Sequence, residues 1–176
     1  MQLIKNTKLF ENFMAMLVLQ ISNYVFPFLT IPYLSRTLST THYGVVLFAL
    51  SITSYLGLVC DYGFGLTATR DASKSRDNPA EINLLLSSVT VIKFLLFIVM
   101  FVGAILYILF NPYYHHDYII YCATFLSVIY NVFFPAWLFQ GLEKMRYITF
   151  VNVIMRLISV ALIFSCVHND SDYVLI

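Results

Sequence analysis

Three ionisable side chains stand inside long apolar runs of this sequence: Asp61, Lys93 and Arg156. A charged group near the centre of a membrane helix costs about 2.5–3.5 kcal/mol on the insertion scale, and such groups are kept mainly where they serve a function. Counted from the ends of their apolar runs, all three lie roughly 12–14 Å from one boundary at 1.5 Å per residue. Two cations beside one carboxylate leave a positive surplus, which suits an anionic ligand.

Two structural explanations compete with a ligand site. Asp61 could pair with Lys93 or with Arg156 only to tie helices together. The long side chain of Lys93 could instead extend to the membrane surface. We expect the ligand site, with Asp61 lying in a polar cavity as the counter-charge to a cationic pair.

Polar side chains recur at helical spacing in four apolar runs. Offsets of three and four residues keep each set on one side of its helix. Taken alone, each set could serve helix packing, since Ser, Thr and Asn commonly join membrane helices by hydrogen bonds. Four sets together favour a shared wet cavity, with Gln20, Asn23, Asn131 and Asn152 as candidate binding amides. The sets are Gln20, Asn23, Pro27 and Thr30; Ser51, Ser54, Asp61 and Gly65; Thr124, Ser127 and Asn131; and Thr149, Asn152, Arg156 and Ser159.

Prolines and glycines mark candidate bends in the same runs. Pro27, Pro32 and Pro135 are expected to kink or end their helices and so free backbone carbonyls toward a cavity. Gly63 and Gly65 supply small surfaces where helices can approach or bend.

The sequence predicts neither a metal site nor a cofactor site. His115 and His116, beside Asp117, lie in a short loop, where adjacent histidines are more often solvated than metal-bound. No Ser–His–Asp set, carboxylate dyad or phosphate-binding glycine loop appears. The net charge of +1 excludes a nucleic-acid footprint. Three cysteines stand in apolar runs without a CxxC pair and are interpreted as small buried hydrophobes: Cys60, Cys122 and Cys166.

Membrane-spanning helices must position these side chains. The 176 residues are 60% hydrophobic and 11% charged, whereas a soluble domain carries about 25% charge. Five apolar runs each hold about 20 or more residues, enough to cross a hydrocarbon core of about 30 Å. We predict an all-α, polytopic transmembrane helix bundle. The complete spans are expected at about 12–34, 43–66, 84–110, 118–139 and 148–167, and a sixth is expected to start at 173–176, so that 1–176 would form an incomplete N-terminal transmembrane lobe.

Lys and Arg are distributed unevenly between the connections. Alternate connections on one side hold seven cations, and those on the other side hold Arg36 alone, which places the N-terminus in the cytoplasm by the positive-inside rule. The cytoplasmic loop between the second and third spans also predicts a helix start, with Asn78 as N-cap, Pro79 at the first helical position and Glu81 in a capping box. The seven cations are Lys5, Lys8, Arg70, Lys74, Arg76, Lys144 and Arg146.

Three motifs carry a family resemblance. SNYVFPFLTIPYLSRTL (22–38), DYGFGLTATRDASKSR (61–76) and PAWLFQGLEKMRY (135–147) resemble the bacterial polysaccharide flippases of the Wzx type. These belong to the multidrug/oligosaccharidyl-lipid/polysaccharide exporter superfamily, and the likeness covers the whole chain. It implies the first lobe of a two-lobed transporter in the bacterial inner (cytoplasmic) membrane. Such a transporter moves undecaprenyl-pyrophosphate-linked O-antigen or polysaccharide repeat units from the cytoplasmic to the periplasmic leaflet, without hydrolysing nucleotide.

The resemblance also implies roles for the candidate residues. Lys93 and Arg156 fit the cations of the family's central cavity and would pair with pyrophosphate oxygens. Asp61 would balance them and could take up a proton when the ligand leaves. The implied partners are the polyprenyl-pyrophosphate-linked oligosaccharide and the lipid bilayer, with an O-antigen polymerase and a chain-length regulator as further candidates.

Other functions stay open at this point. A drug or cation antiporter of the same superfamily would share the lobed bundle but should present a net acidic cavity. A membrane-embedded glycan polymerase or ligase should carry a large outer loop with catalytic groups, whereas the outer connections here are nearly all short. A purely structural membrane subunit would use the polar sets for packing only.

Overall fold

The computed structural model describes residues 2–111, 114 and 116–176, and the described chain is built from helices. His115, one of the paired histidines, lies outside these residues. The described α-helices are α1 (Gln2–Thr37), α2 (Thr40–Asp61), α3 (Phe64–Lys74), α4 (Pro79–Phe110), α5 (Tyr118–Ser127), α6 (Ile129–Phe133), α7 (Ala136–Gly141) and α8 (Met145–Cys166), and a 3₁₀ helix follows at Asp170–Leu175.

Five helical segments of the described chain are long and apolar enough to cross a membrane, which confirms the predicted all-α polytopic class. Their outer faces carry large apolar side chains, such as Phe28 and Phe110, which are 78% and 84% exposed. Such faces are stable only when lipid or another apolar surface covers them. The segments are Leu9–Thr37, Thr40–Lys74, Pro79–Phe110, Tyr118–Gly141 and Met145–Cys166.

The second span is interrupted, whereas the sequence predicted one continuous run over 43–66. α2 ends at Asp61 and α3 begins at Phe64. Between them, Tyr62 and Gly63 have φ angles of +43° and +80°. Glycine adopts this left-handed conformation without steric penalty, but a residue with a side chain does not. The predicted bend at Gly63 therefore coincides with a true break between two helices.

The predicted proline effects differ between helices. α1 continues through Pro27 and Pro32, so neither proline ends its helix. Pro135 lies between α6 and α7, and the preceding Phe134 is extended, with φ −89° and ψ 102°. The proline ring disfavours a helical conformation for the residue before it, which explains the break at this point.

The start of α4 follows its sequence signals. Asn78 is the N-cap and Pro79 the first helical residue, as predicted. The Asn78 Oδ1 accepts from the Glu81 backbone N–H at 3.5 Å. The Glu81 carboxylate accepts from the Asn78 side-chain amide at 2.9 Å rather than from its backbone, so the capping box closes through two side chains.

The chain forms two compact units. Unit 1 comprises Met1–Tyr43 and Glu143–Ile176, and unit 2 comprises Gly44–Leu142. In unit 1, α1 packs on α8, and a cluster of Leu34, Leu38 and Val167 closes one end of the pair. In unit 2, buried clusters join the helices: Cys60, Phe97, Val128 and Val132 in one, and Ala68, Ala72, Val89 and Trp137 in another.

Candidate functional site

Asp61 and Lys93 form an ion pair inside unit 2. Asp61 is the last residue of α2, and Lys93 lies near the middle of α4. The Lys93 ammonium donates to Asp61 Oδ1 at 2.5 Å. The side chain of Lys93 is 5% exposed and that of Asp61 is 45% exposed. The cation is therefore enclosed, and the carboxylate is the partner that faces outward.

This asymmetry changes the expected role of Lys93. The sequence suggested two cations available to an anion, but an ammonium that is enclosed and paired has no free face toward a ligand. An anion can reach Lys93 only if Asp61 moves away. The pair also matches one of the structural alternatives, because it joins α2 to α4.

The second oxygen of Asp61 contacts α3. Asp61 Oδ2 accepts from the backbone N–H of Gly65 at 3.4 Å. A Cβ atom built on Gly65 would lie 3.1 Å from the same oxygen, so the missing side chain permits this approach. The positive end of a helix dipole favours a carboxylate at this position. Asp61 therefore joins α2, α3 and α4.

Asn131 of α6 contacts α2 at Gly57, one helical turn before Asp61. A Cβ atom built on Gly57 would lie 3.5 Å from the Asn131 side-chain nitrogen. Gly57 stands four residues before Asp61, on the same side of α2. The structure thus brings Asp61, Lys93 and Asn131 to one region of unit 2.

Arg156 belongs to unit 1, where it joins α8 to α1. One guanidinium nitrogen donates to the backbone carbonyl of Ser22 at 3.2 Å. The Ser22 side chain is buried and donates to its own helix, at the Val18 carbonyl. A guanidinium has five N–H donors, so this bond leaves Arg156 with further capacity to bind an anion.

The amides of α1 form a short hydrogen-bonded chain. The Gln20 side-chain amide donates to the Tyr24 hydroxyl at 3.3 Å, and the Asn23 side-chain amide donates to the side-chain oxygen Oε1 of Gln20 at 3.5 Å. Tyr24 is 69% exposed. Asn152 of α8 instead donates to the Ile148 carbonyl of its own helix at 2.8 Å. Gln20, Asn23 and Tyr24 thus form a partly exposed polar patch on α1.

Two of the sequence motifs pack on each other, which sequence reasoning missed. The Thr69 hydroxyl lies 2.6 Å from the Gly65 carbonyl oxygen of its own helix and 3.2 Å from the Trp137 carbonyl oxygen, and Arg76 donates to the Gly141 carbonyl at 3.1 Å. A Cβ atom on Gly141 would lie 2.7 Å from the Thr69 carbonyl oxygen and 2.8 Å from the Cβ of Ala72. The small residues at these positions were the available signal, since they let helices approach closely.

Two other cavities among the described residues have mostly apolar linings, and the lining of the second also includes the Glu11–Arg146 ion pair. One of about 440 Å³ in unit 2 is lined by α2, α4 and α5, including Tyr107 and Tyr121. One of about 580 Å³ in unit 1 lies between α1 and α8, including Phe10 and Phe150. The candidate binding residues line neither cavity. Among the described side chains, no three His, Cys, Asp or Glu residues are grouped to hold a metal ion.

Comparison with known proteins places this arrangement in a family. The family described as "Polysaccharide biosynthesis protein" matches residues 9–176. A "Putative O-antigen transporter" from Escherichia coli (strain K12) is 32% identical over 162 residues, which cover 92% of this chain and 39% of that protein. A "Putative O-antigen transporter" from Shigella dysenteriae is 30% identical over 167 residues, covering 93% and 41%. No solved structure matches.

The chain spans about two fifths of the length of the curated relatives it matches. The family match extends over nearly all of the chain, and the described helices include five that can cross a membrane. The chain thus has the helices of a multi-pass membrane protein, and it belongs to the polysaccharide biosynthesis protein family.

Proposed function

We propose that the protein carries undecaprenyl-pyrophosphate-linked O-antigen or polysaccharide repeat units across the bacterial inner membrane, from the cytoplasmic to the periplasmic leaflet. The names of the relatives support O-antigen transport in general. The charges inside the membrane-spanning segments support the specific proposal of a pyrophosphate-linked substrate. The anionic pyrophosphate needs cations, whereas the glycan and lipid parts of the substrate do not.

Arg156 is the proposed first contact of the pyrophosphate. Arg156 is partly exposed, and the bond from its guanidinium to the Ser22 carbonyl holds the side chain against α1. The planar fork binds phosphate oxygens in a bidentate manner, which an ammonium cannot do. Arg156 would therefore provide both charge and orientation.

Lys93 is the proposed second contact, and Asp61 controls it. Because Asp61 covers the Lys93 ammonium, the head group gains Lys93 only by displacing the carboxylate. Uptake of a proton by Asp61 when the cations release their ligand would couple transport to the proton gradient. Export that is indifferent to Asp61→Asn, with an unchanged response to collapse of the gradient, would remove this coupling.

The amide groups are the proposed glycan contacts. Gln20, Asn23, Asn131 and Asn152 have donors and acceptors that can replace the water around sugar hydroxyl groups. Tyr24 adds an exposed ring beside the α1 amides. The long polyprenyl tail would stay in lipid while the polar head group crosses.

Alternating access would require a second lobe, against which the lobe formed by this chain rocks. The protein would then act as a transporter without bond chemistry of its own. An O-antigen polymerase and a chain-length regulator would act on the delivered units, and they are the proposed partners in the inner membrane.

The proposal is tested in a strain that lacks the gene but retains the enzymes of repeat-unit assembly. Lipid-linked repeat units should accumulate on the inner leaflet, and the intact protein should restore O-antigen on the cell surface. Accumulation on the outer leaflet would instead indicate a polymerase or ligase. Normal surface O-antigen in the deletion strain would refute the proposed transport.

A drug or cation antiporter is the second candidate, and one observation favours it. Asp61 is the exposed member of its pair, so an approaching solute meets a carboxylate before it meets Lys93. Drug resistance that depends on Asp61, together with O-antigen export that does not depend on the protein, would select this function.

A further inference from the structure

The Asp61 carboxylate divides its two oxygens between two helices. Oδ1 accepts from the Lys93 ammonium of α4 at 2.5 Å, and Oδ2 accepts from the Gly65 N–H of α3 at 3.4 Å. Any event that removes the carboxylate from Lys93 therefore also affects the beginning of α3.

The connection between α2 and α3 is held in an unfavourable backbone conformation. Tyr62 has a φ angle of +43° although it carries a large side chain, and Gly63 has a φ angle of +80°. A residue with a side chain in this region persists only when the surrounding contacts hold it there. The bond from Asp61 to Gly65 bridges these two residues, so it is placed to hold them.

The middle of α3 and the residues just after it contact α7. The Thr69 hydroxyl lies 2.6 Å from the Gly65 carbonyl oxygen of its own helix and 3.2 Å from the Trp137 carbonyl oxygen of α7, and Arg76 donates to the Gly141 carbonyl. Gly141 lies so close to α3 that a Cβ atom there would meet the Thr69 carbonyl at 2.7 Å. Such tight packing transmits displacement rather than absorbing it, so α3 and α7 would move together.

We propose that Asp61 couples anion binding at Lys93 to the position of the α3–α7 pair, in the segments Phe64–Lys74 and Ala136–Gly141. The Lys93 side chain is enclosed, so a phosphate must take the place of the carboxylate. The displaced carboxylate is repelled by the phosphate and leaves Gly65. The Tyr62–Gly63 connection is then free to relax, and α3 moves with α7. The inference rests on the proposed function only in identifying the anion as the diphosphate of a lipid-linked substrate.

Hydrogen–deuterium exchange of the intact protein in lipid nanodiscs tests this coupling. The probes are farnesyl diphosphate and inorganic pyrophosphate, which separate a lipid-linked diphosphate from a free one. Either probe should speed exchange severalfold in peptides covering 62–76 and 135–142, whereas peptides from α8, which carries the proposed Arg156 contact, should not exchange faster. A response to farnesyl diphosphate alone supports a lipid-linked ligand, and a response to both supports recognition of the diphosphate itself.

Three variants separate the coupling from a general loss of stability. Asp61→Asn should give fast exchange in these peptides without probe and no further response. Gly65→Ala crowds Oδ2 without touching Lys93, so it should also give fast exchange without probe while still binding farnesyl diphosphate. Asp71→Asn is the matched control, because it makes the same chemical change at an exposed carboxylate of α3, and it should respond like the wild type.

Several results would overturn the coupling. One is probe binding, measured by calorimetry, that leaves exchange in both peptides unchanged. Another is a wild-type response in Asp61→Asn, and a third is absence of binding by either probe. A deletion strain with normal surface O-antigen would refute the proposed transport while leaving an observed exchange response intact, so the two failures can be told apart.

Discussion

Replacing Asp61 by leucine should destabilise the protein far more than replacing Lys93 by methionine. Asp61→Leu leaves the ammonium of Lys93 without its carboxylate in a site where only 5% of the side chain is exposed. Removing one partner of a buried ion pair costs about 3–5 kcal/mol. An unpaired Lys at the centre of a membrane helix costs about 2.5–3.5 kcal/mol on the insertion scale. We therefore expect a loss of about 3 kcal/mol, where the two ranges overlap.

Lys93→Met leaves an unpaired Asp61, which should lower the free energy of unfolding less than an unpaired Lys93 does. After Lys93→Met, the Asp61 carboxylate keeps its 45% exposure and its bond to Gly65. We expect Asp61 to lie in a polar, wet cavity, where the unpaired carboxylate stays hydrated, so the scale for exposed pairs applies and the expected loss is about 1 kcal/mol or less. The double variant should lie near the wild type, since an apolar pair can replace a buried ion pair at little cost.

Equilibrium unfolding of the intact protein in mixed micelles, with increasing dodecyl sulfate and detection by circular dichroism, measures these free energies. The double-mutant cycle gives the coupling between the two residues. Equal losses in the two single variants would contradict the burial asymmetry. A double variant whose loss equals the sum of the single losses would show that the two side chains do not interact.

Further expectations concern packing, transport and pH. Gly141→Ala should lower the free energy of unfolding by about 1–3 kcal/mol through overpacking, because the new Cβ would lie 2.7 Å from a backbone oxygen. The control Gly103→Ala has open space around the new Cβ and should be nearly neutral. The same unfolding assay compares the two variants. Arg156→Ala should reduce surface O-antigen in complemented deletion cells. Arg156→Lys should retain part of it, because the charge persists without the bidentate fork. Normal display by Arg156→Ala at wild-type expression would refute the role of Arg156 in binding the pyrophosphate. The backbone N–H of Ser39 lowers the pKa of Asp170 below its usual value. The stabilising contribution of the Asp170 carboxylate should be complete at neutral pH and lost as the pH falls through its lowered pKa. In Asp170→Asn, the free energy of unfolding should therefore fall less steeply with decreasing pH in the acid range.

The lengths of the apolar runs were sufficient to predict the number of spans. They could not show that the second span is broken into two helices, because Phe64 and Leu66 continue the apolar run past Tyr62 before the polar part of α3 begins. The signal was local and weak: Gly63 permits a positive φ but does not require one. Run length therefore predicts how often a chain can cross a membrane, and not where a helix breaks within a crossing.

The depth of the charges along their helices indicated that Asp61 and Lys93 could meet. Which of the two would be enclosed depends on the packing of α4, and no sequence pattern encodes it. The partner of Arg156 was also beyond prediction, because Ser22 offers a backbone carbonyl and backbone groups carry no sequence signature. That Asp61, Lys93 and Arg156 share one polar cavity stays a prediction.

The packing of α3 on α7 shows what motif matching leaves out. The segments 61–76 and 135–147 were noted separately as family motifs, but their contact joins residues far apart in the sequence. Ala68, Ala72 and Gly141 are small because the two helices approach closely, and Arg76 binds the end of α7. Part of the motif similarity is thus explained by structure rather than by ligand contact.

Reconstitution provides the most direct test of the proposed transport. The intact protein is placed in liposomes whose lipid-linked repeat units are initially protected from an external glycan-oxidising enzyme, and exposure of the glycan is followed over time. We predict exposure with the wild-type protein and a strongly reduced rate with Arg156→Ala. Exposure with the wild-type protein at the rate of protein-free liposomes would contradict the proposed transport.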